Sequence, residues 1–184
     1  METLTKPPRL ISVEEYLKRE ARSEVRHEYV EGTLYALAGG SDHHNRIAGN
    51  IYMALRLEAR DTSCRVYMSD MRVMIGNVYY YPDVMVCCEK PETENSIFRY
   101  DPCLLVEVLS TTTKAIDRRE KLLVYRQIPT LRAYLIVDQQ TRHVERHFRD
   151  KHGEWQRADI INDGSVPVPC PDTELTLADV YREI

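Results

Sequence analysis

The sequence predicts a single α/β domain over residues 1–184, with a mixed central sheet flanked by helices, an N-terminal hairpin and a C-terminal antiparallel extension. Three observations predict it. Residues 104–109 (Leu-Leu-Val-Glu-Val-Leu) and 133–137 (Ala-Tyr-Leu-Ile-Val) are short, nearly all-apolar runs, as expected of strands covered on both faces, and the helical stretch between them implies a crossover onto one sheet. Two long β-prone runs, 65–75 and 78–87, meet at Gly76-Asn77 and so predict an antiparallel pair. The whole chain is 184 residues, 43% hydrophobic and 29% charged, with 7 Gly and 9 Pro, which suits one folded core and excludes low-complexity classes.

Taken in order, Ser12-Val13-Glu14-Glu15 has capping-box spacing, so a short helix runs to about Ala21. Glu31-Gly32 separates two β-prone runs within 28–37 and predicts the hairpin. Gly39-Gly40 breaks it, Ser41 or Asp42 caps the next helix, and His44, Ile47, Ala48, Ile51 and Leu55 share one face of that helix, which is about four turns long. Pro82 cannot donate to a ladder, so the second β-prone run is at an edge or distorted where Asp83 sits. Ser110 to Thr113 supplies a loop and caps, and residues 117–126 read as a helix that Pro129 ends. Residues 143–148 and the segment around Trp155 form the antiparallel extension.

Composition excludes several classes. No apolar stretch approaches the roughly 20 residues of a membrane-spanning helix, and the start of the chain lacks the apolar region of a secretory signal. A cytoplasmic protein is the expectation. The net charge of −4 gives no global pull toward polyanions, so contacts to nucleic acid must come from local patches. Cys64, Cys87, Cys88, Cys103 and Cys170 have no metal-ligand spacing and no even framework, and read as reduced thiols.

Asp83 and Glu107 interrupt runs that otherwise read as sheet core, and a buried charge without a partner costs several kcal/mol. A basic partner, protonation or a divalent cation would each compensate them. Carboxylates with a carbonyl and water are the donors that Mg²⁺ or Mn²⁺ prefers, and a cation held so neutralises phosphate oxygens and activates water. In that case an acid retained for a cation should be removable from the metal-free domain without loss of stability.

Pro82-Asp83 followed by Glu107-Val108-Leu109 at a strand end resembles the PD-(D/E)XK nuclease superfamily. Glu28-Tyr29-Val30-Glu31-Gly32, His44-Asn45-Arg46-Ile47, Tyr81-Pro82-Asp83-Val84, Val106-Glu107-Val108-Leu109-Ser110, Asp117-Arg118-Arg119-Glu120-Lys121-Leu122 with Tyr125, and Tyr134-Leu135-Ile136-Val137-Asp138 stand in an order that resembles the Uma family of putative restriction endonucleases. The resemblance covers nearly the whole chain. It implies a restriction-endonuclease-like core and a DNA endonuclease that leaves 5′-phosphate ends, with Asp83 and Glu107 as ligands of Mg²⁺ or Mn²⁺. Glu28 is implied as a third acid near the site, and His44 as a further site residue. The superfamily's lysine, two residues after the second acid, is replaced by Leu109. Lys121 is the substitute this implies, its ammonium directed at the acids, whereas the bland alternative is a surface pair with Asp117.

Lys114, Arg118, Arg119 and Arg126 could form a phosphate-facing patch or a solvated helix face, and Tyr79-Tyr80-Tyr81 read as alternating residues of a half-exposed strand. Two other functions fit the same residues. One is a catalytically weak nuclease-fold protein, which could be a homodimer, that binds nucleic acid or a protein partner; the other is hydrolysis of a smaller phosphoester.

Overall fold

Side-chain alternation along the strands sets the layers. The computed structural model describes residues 10–91, 93, 96–109 and 120–184. Its elements are α1 (Val13–Glu20), β1 (His27–Val30), β2 (Thr33–Ala36), α2 (Asp42–Glu58), β3 (Arg65–Met68), β4 (Arg72–Ile75), β5 (Val78–Tyr80), β6 (Val84–Cys87), β7 (Phe98–Arg99), β8 (Leu104–Leu109), α3 (Leu122–Tyr125), β9 (Ala133–Asp138), β10 (His143–Arg149), β11 (Trp155–Ile161), β12 (Ser165–Pro169), β13 (Asp172–Thr176) and α4 (Leu177–Val180). A large sheet runs β11-β10-β9-β8-β6-β3, a smaller one β2-β1-β5-β4-β7, and β12 and β13 form a hairpin. The parallel β8–β9 pair, Leu104↔Ala133 to Leu109↔Asp138, is the crossover expected from the two apolar runs, and the antiparallel neighbours make the sheet mixed.

One face of β8 carries Val106 and Val108, which join Val84, Val86, Leu135 and Val137 beneath Ile47, Ile51 and Leu55 of α2 and the β12–β13 hairpin. The other face carries Leu105 and Leu109, which pack with Met85, Tyr134 and Ile136 against Val73 and Tyr80 of the small sheet and Tyr125 of α3. Glu107 lies on that second face, between the sheets. The small sheet's outer face carries Tyr29 and Tyr79, covered by Tyr16 of α1. Both caps form: Ser12 Oγ accepts from the Glu15 N–H and Ser41 Oγ from the His44 N–H.

The structure corrects the sequence reading in three respects. The two long β-prone runs do pair antiparallel, but both break at one level and each half goes to a different sheet. β4 pairs β5 in the small sheet, while β3 pairs β6 in the large one. The break falls where Ser69 is left-handed, with φ 57°, and where Pro82 lacks a donor; the Ser69 N–H bonds the Asp83 carbonyl across it. Tyr79, Tyr80 and Tyr81 are all buried rather than half-exposed, because the small sheet is covered on both faces.

The third correction concerns sulfur. Cys64 and Cys88 form a disulfide, as do Cys103 and Cys170, and Cys87 is the free thiol. Register brings the first pair together, since Cys64 and Cys88 lie one position beyond the partners Arg65↔Cys87. Among the described residues no helix is long and apolar enough to cross a membrane. Ser110, Lys114, Asp117, Arg118, Arg119 and the first part of the helix expected over 117–126 lie outside the described residues.

Candidate active site at the junction of the two sheets

Pro82 and Asp83 lie where the chain leaves β5 of the small sheet for β6 of the large one. Because Val84 pairs with Val106, continuing the register by one residue sets Asp83 across from Glu107. Asp83 Oδ2 accepts a 2.7 Å hydrogen bond from the Val108 N–H, and His44 Nε2 of α2 stands 3.3 Å from the same oxygen. Gly40 makes room for that imidazole: a Cβ there would stand 2.7 Å from His44 Nδ1. Among the described residues, Asp83 Oδ1 has no hydrogen-bond partner.

Glu107 is buried and doubly held. Its Oε1 accepts from Lys121 Nζ at 3.0 Å and from the Tyr125 hydroxyl at 2.8 Å. Lys121, only 4% exposed, also reaches Glu28 Oε1 at 2.8 Å, and its ammonium stands 5.2 Å from the Tyr80 ring centre. The ammonium thus bridges a carboxylate from each sheet. Glu28 reaches the interior because its neighbour Tyr29 takes the outer face of β1, and it also accepts from the Tyr81 N–H at 3.4 Å. Burial pushes the Tyr80 hydroxyl up to about 12, with the Glu28 charge adding to it. Burial, followed by the Glu107 charge, holds Tyr125 well above its ordinary value, so Tyr125 stays a donor to Glu107.

All five residues singled out from the sequence, Glu28, His44, Asp83, Glu107 and Lys121, therefore lie at this junction. They form two sets: Asp83 with His44, and Glu107 with Lys121 and Glu28. Lys121 is not a surface residue. Leu109, at the usual lysine position, is fully buried in the core between the sheets. Arg126 points elsewhere, with its guanidinium 5.6 Å from the Trp155 ring centre. Tyr125 and Tyr80 are the site residues that sequence reasoning missed as contacts. Tyr125 stood out only as a motif member, and no spacing indicates that its hydroxyl meets Glu107.

The donors available to a cation are hard carboxylate oxygens, which suit Mg²⁺ or Mn²⁺ rather than a soft metal. No three carboxylate or imidazole donors among the described residues lie within 4.8 Å of one another. With no such trio, the two motif acids Asp83 and Glu107, which the strand register sets across from one another, are the candidate ligands, while Glu28 is a second anchor of Lys121. Because Glu107 has buried partners, its removal is no longer expected to be neutral for stability.

A match to the family described as "Uma2: Putative restriction endonuclease" spans residues 13–179. The chain belongs to the Uma2 family. Two relatives, both uncharacterized proteins of Synechocystis sp. (strain ATCC 27184 / PCC 6803 / Kazusa), accompany that match. The protein sll1609 is 35% identical over 161 residues, which cover 85% of this chain and 91% of the relative. The protein slr1290 is 35% identical over 147 residues, which cover 79% and 77%. A crystal structure of a putative nuclease belonging to DUF820 from Anabaena variabilis ATCC 29413 superposes with a TM-score of 0.76 at 21% identity, over 93% of this chain and 97% of that one. The fold is therefore that of this nuclease-named structure, and the Uma2 assignment agrees with the motif order of the sequence.

Tyr125→Phe tests the contact that the sequence did not reveal. The expected result is a loss of about 1 kcal/mol in urea unfolding, the usual net value of one hydrogen bond, with cleavage reduced but retained, because Lys121 still holds Glu107.

Proposed function

We propose that this Uma2 member is an endonuclease dependent on Mg²⁺ or Mn²⁺ that hydrolyses DNA phosphodiester bonds. One observation carries the reading. A buried ammonium, delivered from the helical residue just before α3 instead of from position 109, sits 3.0 Å from the second acid of the motif. Asp83 and Glu107 would hold the cation, which when bound supplies positive charge to phosphate oxygens and acidifies a water. The remaining roles belong to the chain. The Val108 N–H and His44 fix Asp83 so that its other oxygen is left for a ligand. Tyr125 fixes Glu107, and Glu28 holds Lys121 by a second carboxylate so that the ammonium is oriented before substrate arrives. Lys121 is positioned to donate to a phosphate oxygen or hold the attacking water, in the part usually taken by the residue missing at Leu109.

The test is incubation of supercoiled plasmid with the purified chain and Mn²⁺, with EDTA as the control. Nicked and linear products that EDTA abolishes are the expected result. A second reading, a nuclease-fold chain that binds DNA or a protein partner without cutting it, is favoured by Leu109 at the usual lysine position, and the net charge of −4 favours the protein partner over DNA within it. DNA retarded in a gel but left intact by Mg²⁺ and Mn²⁺ would establish that reading in place of the first.

A further inference from the structure

Four cysteines from four separate parts of the chain meet at the end of β6 and β8 away from the carboxylates. Cys64 precedes β3, Cys88 follows β6, Cys103 precedes β8 and Cys170 lies in the β12–β13 turn. The two disulfides are not independent staples, because Cys88 Sγ lies 3.5 Å from Cys103 Sγ across the gap between them. The sulfurs of Cys88, Cys103 and Cys170 all lie within 4.8 Å of one another, and Cys64 is bonded to Cys88. In a tetrahedral zinc–thiolate centre the metal–sulfur bonds are about 2.3 Å, which sets neighbouring sulfurs about 3.8 Å apart. Three sulfurs already stand near that spacing; Cys64 Sγ lies outside the trio and completes the set by a side-chain rotation once its bond to Cys88 opens.

The backbone holds these residues in place independently of the sulfur bonds. The Cys103 N–H donates to the Val86 carbonyl at 2.8 Å, and the Cys103 carbonyl accepts from the N–H groups of Arg132 and Ala133. The Cys64 N–H donates to Thr62 Oγ1 at 3.0 Å, and Cys88 follows directly on the β3–β6 ladder. These contacts keep Cys64, Cys88 and Cys103 in place after reduction, and Cys170 stays packed with Cys103 in the core beneath α2. Cys64 and Cys88 are half-buried, so a reductant or an ion can reach the cluster, while Cys103 and Cys170 are buried beneath them.

We propose that, in its reduced form, this cluster is a binding site for one thiophilic divalent cation of the Zn²⁺ class, held by Cys64, Cys88, Cys103 and Cys170. Each disulfide takes two electrons and two protons on reduction; a phosphine reductant supplies the electrons and leaves as its oxide, with oxygen and protons from water. The cation then displaces the four thiol protons to solvent, leaving a ZnS₄ centre of charge −2. The site is distinct from the carboxylate junction in place and in chemistry. The four residues of β6 separate Asp83 from Cys88 by about 13–17 Å of extended chain, and soft sulfur donors select a different metal from hard carboxylates.

The test uses the full chain, reduced with a phosphine that is then removed under anaerobic conditions and titrated with Co²⁺. The expected result is one equivalent of bound Co²⁺ that gives intense visible bands and sulfur-to-cobalt charge transfer, both bleached by one equivalent of Zn²⁺. Carboxylate-bound Co²⁺ gives neither signature. Cys103→Ser and Cys88→Ser should each remove or strongly weaken the bands. Cys87→Ala should leave them unchanged, because Cys87 packs with Met85 and Leu105 on the opposite face of the sheet. A reduced chain with reactive thiols but no such bands overturns the proposal, as does one that unfolds on reduction and binds no Co²⁺. Bands that survive Cys103→Ser or vanish in Cys87→Ala overturn it as well.

Discussion

Lys121→Met is expected to lower Mn²⁺-dependent plasmid cleavage by about 100-fold or more, the usual scale for a positioned catalytic group, while Mn²⁺ continues to bind. An ammonium has donors and no lone pair, so it is no metal ligand, and methionine replaces its buried stem beside Tyr80 with a chain of similar shape. The variant loses the charge between Glu28 and Glu107, which the ammonium reaches at 2.8 and 3.0 Å. Without metal its two buried acids have therefore lost the counter-charge that Lys121 gave them, and breaking a buried pair from one side costs about 3–5 kcal/mol. Mn²⁺ brings charge back, so added Mn²⁺ should raise the melting temperature of the variant more than that of the wild type. These two readouts separate catalysis from scaffolding. If Lys121 only neutralises the acids, the Mn²⁺-loaded variant recovers both fold and cleavage, and a wild-type cleavage rate there would exclude a catalytic lysine.

The acids could be read from the sequence because they break a rule. A glutamate inside Leu-Leu-Val-Glu-Val-Leu and an aspartate after a proline in a β-prone run are local contradictions, and the structure answers them with the Lys121 ammonium, the Tyr125 hydroxyl and the Val108 N–H. Lys121 was legible only through motif order, since its own surroundings predict nothing more than a helix face. The division of roles among the acids was not legible at all. Whether Glu28 is a third ligand or the anchor of a lysine depends on how two sheets pack, and β1 and β8 belong to different sheets. The sulfur cluster was hidden for a similar reason. Cys64 meets Cys88 through antiparallel register, and Cys103 meets Cys170 through the docking of a hairpin over the sheet, so no short spacing announces either pair. The split of the 65–75 and 78–87 runs between two sheets was half visible. Pro82 marked one side of the break, but the left-handed Ser69 on the other side has no residue type that demands it.

Glu107→Gln and Glu107→Ala are expected to part company in stability while agreeing in activity. Both remove a carboxylate proposed to hold the cation, so both should lose about 100-fold or more of Mn²⁺-dependent cleavage and most of the Mn²⁺ affinity. Glutamine keeps an oxygen that can accept from the Tyr125 hydroxyl and from Lys121, and Lys121 keeps its charged partner Glu28 at 2.8 Å. Urea unfolding of Glu107→Gln in EDTA should therefore stay close to wild type. Alanine leaves the fully buried Tyr125 hydroxyl without its acceptor, at a cost of about 1–3 kcal/mol, and opens a cavity between Leu105 and Leu109 that adds to it. The simpler expectation from the sequence, that removing an acid relieves repulsion and leaves stability intact, requires carboxylates facing one another without a cation. Lys121 between Glu28 and Glu107 removes that condition. Should Glu107→Ala prove as stable as wild type in EDTA, repulsion between the acids outweighs both contacts and the lysine bridge is energetically idle. Full cleavage by Glu107→Gln would show that the carboxylate charge at 107 holds no cation, leaving Glu107 as the structural partner of Lys121 and Tyr125.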